Sequence, residues 1–99
     1  MFKSVLGKVW GNKKEYPDGS VYEGEWSGFK RQGRGKQTWK DNMVYEGEWY
    51  DDKKHGQGIM RFPDGSSYEG NWDNNNFSGM GKFTYRDGSV YEGLWHNGR

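Results

Sequence analysis

The sequence has no cysteine, so neither a disulfide framework nor a thiolate metal site can form. It is also poor in apolar residues: 30% are hydrophobic by a count without glycine, whereas about 45–50% is usual in globular domains by a count with glycine. No apolar run approaches the roughly 20 residues that span a bilayer, and no signal-peptide core stands at the start. We therefore expect a soluble cytoplasmic chain, one domain at most, without a deep aliphatic core.

An excess of charge of either sign is missing as well. Fifteen basic and fourteen acidic residues leave a formal net charge of +1, which gives no general attraction to nucleic acid. Rings and glycine are what the sequence has in quantity, with 18% aromatic residues, six Trp, seven Tyr and 17 Gly. The apolar surface buried on folding is therefore expected to consist mostly of aromatic rings.

A fixed period of 23 residues organises most of the chain. Four Tyr-Glu-Gly triplets begin at Tyr22, Tyr45, Tyr68 and Tyr91, and a Trp follows each at the same distance, at Trp26, Trp49, Trp72 and Trp95. The same step separates the Gly-x-Gly pairs at Gly33, Gly56 and Gly79 and the aspartates Asp18, Asp41, Asp64 and Asp87. Self-similarity at a fixed period of this length is the signature of a repeat architecture.

The combined pattern, Y-E-G-x-W followed by G-x-G and then by an aromatic residue and D-G, resembles the MORN repeat family over residues 14–99. By this resemblance residues 1–13 are an atypical N-terminal cap segment and residues 14–21 a partial repeat. Repeats start at Tyr22, Tyr45 and Tyr68, and a further partial repeat starts at Tyr91.

The turns between the periodic segments predict the fold without the family. Pro17-Asp18-Gly19 and its equivalents suit a three-residue hairpin loop that ends in a left-handed residue, with Asn42 in the place of glycine once. Gly28-Phe29, Asp51-Asp52, Asn74-Asn75 and Asn97-Gly98 suit two-residue turns of the primed types. Since only the two-residue loop swaps odd and even numbering between sheet faces, one loop of each kind keeps an odd period in register. We predict an all-β, single-layered antiparallel β-meander of consecutive hairpins, elongated and twisted, with about eight short strands.

The register that follows pairs glycine with glycine, such as Gly58 with Gly70, and places Gly56 opposite Trp72. Each Trp then faces a residue without a side chain, so we expect its ring to cover bare backbone. The alternation separates an aromatic and glycine-rich face from a charged face, on which Glu46 lies opposite Lys36.

The aromatic face is the candidate partner-binding site, because a single layer has no second layer to cover it. The rings expected in this aromatic groove are Tyr22, Trp26, Trp39, Tyr45, Trp49, Phe62, Tyr68, Trp72, Phe83, Tyr85, Tyr91 and Trp95. Exposed apolar surface of this kind marks interaction sites, and Trp and Tyr are favoured as anchors there. The expected partner is a peptide or helix of another protein.

Basic residues near the turns give an alternative, an anionic phospholipid surface. The residues expected to bind lipid are Lys30, Arg31, Arg34, Lys53 and Lys54, with an amphipathic segment around Phe2, Val5, Leu6 and Val9. The third repeat interrupts this basic stripe, because Asn76 and Phe77 stand where the earlier repeats carry Lys or Arg.

Catalytic chemistry is not expected. Turn geometry accounts for the four aspartates, and the repeated glutamates stand opposite basic residues on the solvated face. His55 and His96 are the only histidines, and no other ligands converge on them. No nucleophile elbow, P-loop or dinucleotide fingerprint occurs. We therefore expect no enzymatic activity, no cofactor and no metal site.

The family resemblance implies a scaffold in a cytoskeletal, ciliary or membrane-junction assembly. In MORN-repeat proteins the aromatic groove can take a helical peptide, the repeats can dimerise, and anionic lipid binding has been proposed. Repeats also occur as accessory arrays beside catalytic domains, so an enzyme beyond residue 99 is a further alternative. The sequence stops where the next strand is due, and we expect the last strand to meet either more repeats or a second copy in a homodimer.

Overall fold

A computed structural model describes residues 12–96, which form one antiparallel sheet of eight strands in sequence order. The strands are β1 (Asn12–Glu15), β2 (Val21–Ser27), β3 (Lys30–Thr38), β4 (Val44–Tyr50), β5 (Lys53–Arg61), β6 (Ser67–Asp73), β7 (Asn76–Thr84) and β8 (Val90–Trp95). The predicted all-β meander of hairpins is confirmed. Of the predicted cap segment, residues 1–11 lie outside the described residues, as does the predicted turn at residues 97 and 98.

Three-residue loops close every hairpin that precedes a Tyr-Glu-Gly strand. In the first loop the Tyr16 amide donates to the Ser20 carbonyl (2.9 Å) and the Gly19 amide donates to the Tyr16 carbonyl (2.9 Å). Gly19 has φ +91°, and Asn42 takes the equivalent place with φ 74°. The loop prediction is therefore confirmed, including the substitution of Asn for Gly in a left-handed conformation.

Two-residue turns close the other hairpins. Asp51 and Asp52 both have positive φ, at 52° and 69°, as a type I′ turn requires. In the first such turn Gly28 has φ 62° and Phe29 is not left-handed, which matches type II′. Both turn types follow the right-handed twist of the strands, which is why the sequence could predict them.

The register agrees with the sequence prediction on both faces. Gly58 lies opposite Gly70, Gly56 opposite Trp72, and Glu46 opposite Lys36. One row of glycines crosses the sheet from strand to strand, through Gly24, Gly35, Gly47, Gly58, Gly70, Gly81 and Gly93.

A β-bulge interrupts every hairpin that has a two-residue turn, and the sequence reading missed it. In β2 and β3, Gly24 pairs with Gly35 and Trp26 pairs with Arg31, so the single residue at 25 faces three residues at 32–34. Gly33, at the centre of those three, has φ +87°. The bulge adds two residues to one strand. Because side chains alternate between the faces with a period of two, every later side chain keeps its predicted face.

The bulges bend a sheet that is one layer thick. A flat single layer would be only about 10 Å thick, since sheets stacked face to face lie about that far apart. The described residues extend 36 × 29 × 23 Å, so even their shortest dimension exceeds that thickness. The sheet is therefore strongly twisted and curved, as the bulges in its hairpins favour. No helix among the described residues is long and apolar enough to cross a membrane.

Candidate functional site

Three tyrosines form the floor of the aromatic groove. Tyr22, Tyr45 and Tyr68 are completely buried. Each ring lies over the second glycine of a Gly-x-Gly pair, where any Cβ on Gly35 or Gly58 would overlap it. The sequence predicted that the tryptophan rings cover the bare backbone of the glycines opposite them; the side chain nearest to a Cβ position on Gly33 is the carboxyl group of Glu25.

Hydrogen bonds fix the floor tyrosines in place. The Tyr45 hydroxyl donates to the Glu48 carbonyl at 2.8 Å, and the Tyr22 and Tyr68 hydroxyls make the same bond three residues onward. Burial raises the pKa of the Tyr45 hydroxyl well above its usual value. The floor hydroxyls are therefore neutral donors already satisfied by backbone, not reactive groups.

The tryptophans that follow the tyrosines are held equally firmly. The Trp49 indole donates to the Gly35 carbonyl at 3.1 Å, and the Trp72 indole donates to the Gly58 carbonyl at 3.1 Å. Both rings meet the edge of Tyr45, with centroids 5.1 and 5.2 Å apart. Trp49 is 3% exposed and Trp72 is 4% exposed, so these members of the predicted groove set belong to the core.

The remaining rings of the predicted set keep accessible surface. Tyr85 is 45% exposed and Tyr91 is 46% exposed. The half-buried members are Trp26, Trp39, Phe62, Phe83 and Trp95. All five pack against the buried cluster that contains the floor tyrosines, so these seven rings keep accessible surface beside that cluster.

Three positions that are 23 residues apart reach over the floor from the strands after the two-residue turns. They are Arg31, Lys54 and Phe77, which we call the crossing positions. The sequence reading placed the first two in a lipid-binding stripe and left Phe77 out of the groove. The missed signal was their place directly opposite Trp26, Trp49 and Trp72 across the bulged hairpins.

At the first crossing position, Arg31 is fully paired. Its Nε donates to Asp52 Oδ1 at 2.7 Å, one Nη donates to the Gln37 amide oxygen at 2.9 Å, and the other donates to the Asp52 carbonyl at 2.9 Å. The guanidinium carbon lies 4.3 Å from the centroid of Trp49. Partial burial works to raise the pKa of Asp52, but the Arg31 hydrogen bonds hold it below its usual value.

At the second crossing position, Lys54 has rings around it and no acid. Its Nζ lies 5.5 Å from the centroid of Trp39, 5.7 Å from that of Trp72 and 5.9 Å from that of Tyr45. None of the ion pairs among residues 12–96 includes it. Desolvation, with a smaller contribution from Arg31, lowers the pKa of Lys54 to about 8.

At the third crossing position, Phe77 makes the groove apolar. Its ring stacks on Tyr68 with centroids 3.9 Å apart and planes 9° apart. It also meets Trp72 and Trp95 edge-on at 4.9 and 5.3 Å. Phe83 lies nearby, 6.2 Å from Phe77, so the C-terminal end of the groove carries rings where the N-terminal end carries cations.

The residues predicted to bind phospholipid do not share one surface. Lys30 pairs with Asp51 at 2.6 Å, and Arg31 pairs with Asp52. Lys54 lies in the groove, while Lys53 is exposed beside the turn. The phospholipid hypothesis stays a prediction, with fewer free charges to support it.

The carboxylates of the turns and bulges are engaged with the backbone. Asp64 accepts hydrogen bonds from the Ser66 amide (2.9 Å) and hydroxyl (2.6 Å), and the hydroxyl bond is the main reason that the pKa of Asp64 is lowered. Glu25 accepts from the Arg34 amide at 2.8 Å. Within residues 12–96 no three His, Asp or Glu side chains cluster as metal ligands would.

A single antiparallel layer of hairpins, repeating every 23 residues with its rings on one face, defines a β-repeat protein. The model of the MORN repeat family matches the chain at residues 22–44, 45–67, 68–90 and 91–99. The chain therefore belongs to the MORN repeat family, whose repeats indicate a scaffold-like protein-binding module. No curated protein sequence matches the chain significantly.

Proposed function

We propose that this chain is a non-enzymatic MORN-repeat scaffold that binds a peptide or helix of a protein partner in its aromatic groove. The observation that carries the proposal is the uncovered aromatic face. Residues 12–96 form one sheet layer, and half-buried rings line the floor without a second layer over them. Apolar surface arranged in this way is typical of sites that bind proteins.

The rigidity of the floor supports the same function. The floor tyrosines and the tryptophans beside them are fixed by hydrogen bonds to backbone carbonyls, such as those of Tyr45 and Trp72. A preorganised surface loses little conformational entropy when a partner binds. The accessible rings therefore stand on a base that need not rearrange.

The engaged carboxylates support a non-enzymatic role. Asp64 caps its turn, and Glu25 caps its bulge, so both perform structural tasks that repeat along the chain. A cytoskeletal or ciliary setting is part of the proposal and rests on family membership.

The test uses two rings that lie outside the fully buried cluster. Trp39 and Tyr85 are accessible and make none of the indole or hydroxyl bonds of the floor, so a Trp39→Ala/Tyr85→Ala variant should keep its fold. Tyr50→Ala/Leu94→Ala removes exposed apolar surface from the opposite face and is the matched control. A partner recovered with the wild-type chain is purified and titrated against each variant by calorimetry.

Binding in the groove predicts a loss of about tenfold or more for the groove variant, because buried aromatic anchors dominate interface energies. The control variant should bind like wild type. Equal affinity of the wild type and the groove variant would overturn the proposal. Binding to phosphatidylserine vesicles at low salt that disappears at physiological salt would favour the lipid alternative instead.

A further inference from the structure

The first and second repeats differ in one acid next to the crossing position. Arg31 and Asp52 are 21 residues apart, and the equivalent pair 23 residues later is Lys54 and Asn75. The backbone bonds are the same: the Lys54 amide donates to Asn75 Oδ1 at 2.9 Å, as the Arg31 amide donates to Asp52 Oδ1 at 3.0 Å. The second repeat thus keeps the geometry of the pair and replaces its carboxylate with a neutral amide.

Lys54 is consequently a cation without an internal counter-charge. Its ammonium is surrounded by the rings of Trp39, Tyr45 and Trp72, which attract it only weakly compared with a carboxylate. Every fully buried side-chain nitrogen or oxygen among the described residues has a hydrogen-bond partner, and the Lys54 ammonium makes no such bond. The ammonium therefore keeps contact with solvent, where another molecule can reach it.

The surroundings of Lys54 become apolar toward the C-terminal end of the groove. Phe77 occupies the next crossing position, Phe83 lies 6.2 Å from it, and Phe62 lies 5.9 Å from Phe83. Toward the N-terminal end, Arg31 is already neutralised by Asp52. Between Arg31 and Phe77 the groove therefore presents one unneutralised positive charge followed by an apolar stretch; the other lysine of this face without an ion pair among residues 12–96, Lys14, lies over Tyr16 on the edge strand β1.

We propose that Lys54 receives an acidic side chain of the protein segment in the aromatic groove, and that apolar side chains of the same segment contact Phe77 and Phe83. This inference rests on the proposed function and adds the chemistry of the occupant and the relative positions of its acidic and apolar side chains. A single free cation between rings complements one carboxylate within an otherwise apolar segment, whereas an anionic membrane requires several free cations.

The experiment selects ligands for the full chain from a displayed library of random peptides. A helix needs about 24 residues to cover 36 Å, the longest dimension of the sheet, which sets the peptide length. Counter-selection against the Trp39→Ala/Tyr85→Ala variant retains only peptides that bind the groove. We expect Asp or Glu to be enriched at one position, with aromatic or aliphatic residues on one side of it.

Synthetic copies of the selected peptides are then titrated against three variants. Lys54→Gln should weaken binding about tenfold or more, because a charge-assisted hydrogen bond is lost. Asn75→Asp should weaken it about threefold to tenfold, because the new carboxylate competes for Lys54. Lys53→Gln removes the same charge from an exposed neighbour and should leave the affinity unchanged.

The pH dependence gives an independent readout. The affinity of an acidic peptide should be constant between about pH 6, where its carboxylate is ionised, and about pH 7, and should fall as the pH rises through 8, because free Lys54 then loses the proton that the complex needs. Arg31 is the other cation facing Lys54. The Tyr45 hydroxyl stays protonated, since burial raises its pKa. A peptide with Gln at the acidic position should show no such decline.

Each of the other outcomes contradicts either the role of Lys54 or the proposed function. Groove-binding peptides without an enriched acid, or with equal affinity for Lys54→Gln, overturn the role of Lys54 and leave the proposed function intact. A selection that yields no groove-binding peptide overturns both. Self-association of the chain in sedimentation that Lys54→Gln abolishes assigns the site to a second copy, and phosphatidylserine vesicles that displace the peptides assign it to lipid.

Discussion

The two ends of the groove use the same position of the repeat for opposite purposes. Arg31 crosses the floor with its charge neutralised by Asp52, and Phe77 crosses it with no charge at all. Lys54 lies between them and carries a charge that no carboxylate among residues 12–96 neutralises. The backbone register around the three residues is the same, so the difference lies in side chains alone. A regular repeat fold can therefore carry local, non-repeating recognition without any change in its backbone.

The largest expected effect is the loss of the apolar crossing residue. Phe77→Ala removes a ring that stacks on Tyr68 and meets two tryptophans. We expect the free energy of unfolding to fall by about 3 kcal/mol, as for other aromatic truncations in well-packed sites. Urea denaturation followed by Trp fluorescence measures it. Phe29→Ala, at a 98% exposed turn position, is the control and should stay within about 0.5 kcal/mol of wild type.

The second-largest loss of stability is expected at Arg31, the cation that is paired with Asp52. Arg31→Met removes hydrogen bonds to Asp52 and Gln37 and leaves the buried Gln37 amide oxygen without its donor. We expect a loss of about 2 kcal/mol, within the range for hydrogen bonds to charged groups. The same denaturation experiment tests it. An unchanged midpoint would mean that Arg31 contributes packing only, which Met can replace.

The unpaired cation should behave in the opposite way. Lys54→Met replaces a partly buried charge that lacks a counter-ion, so we expect the fold to gain about 1 kcal/mol at pH 7. Because the pKa of Lys54 is lowered to about 8 in the folded state, wild type recovers stability as the pH rises from 8 toward the unfolded value. The gain of the variant over wild type should therefore shrink between pH 8 and pH 10. A destabilised Lys54→Met at pH 7 would contradict the contrast with Arg31.

Much of the fold could be predicted because the repeat fixes it several times over. Residues that favour a left-handed conformation, such as Gly19 and Asn42, predict the positions of the loops. The odd period requires one three-residue loop and one two-residue loop in each repeat. The bulge at Gly33 could not be deduced from parity, because it adds an even number of residues. Its local signal was the glycine itself, whose φ of +87° disfavours any other residue.

The sequence predicted on which face of the sheet each ring lies, but not how deeply each ring is buried. Tyr45 and Tyr91 stand at the same position of the repeat and on the same side, yet Tyr45 is buried under its neighbours while Tyr91 is nearly half exposed. That difference depends on which strands flank each ring, and a pattern within one repeat does not contain it. Lys54 was assigned to the basic stripe by its charge, although the two-residue turn already places it opposite Trp49 on the groove face; what alternation cannot show is that its long side chain lies among the rings.

The smallest effect is expected from a substitution that gives the second repeat the same acid as the first. Asn75→Asp restores the acid that the first repeat has at Asp52, in a left-handed turn position where Asp52 shows that aspartate is tolerated. We expect a gain of about 0.5 kcal/mol, since ion pairs with one partner in solvent, as position 75 is, contribute little, together with a higher pKa of Lys54. NMR titration of the Lys54 side chain measures the pKa. In the Lys54→Met background the gain should vanish, because the carboxylate then has no cation to pair with; a gain of the same size in both backgrounds would show that the introduced carboxylate acts on the turn and not on Lys54.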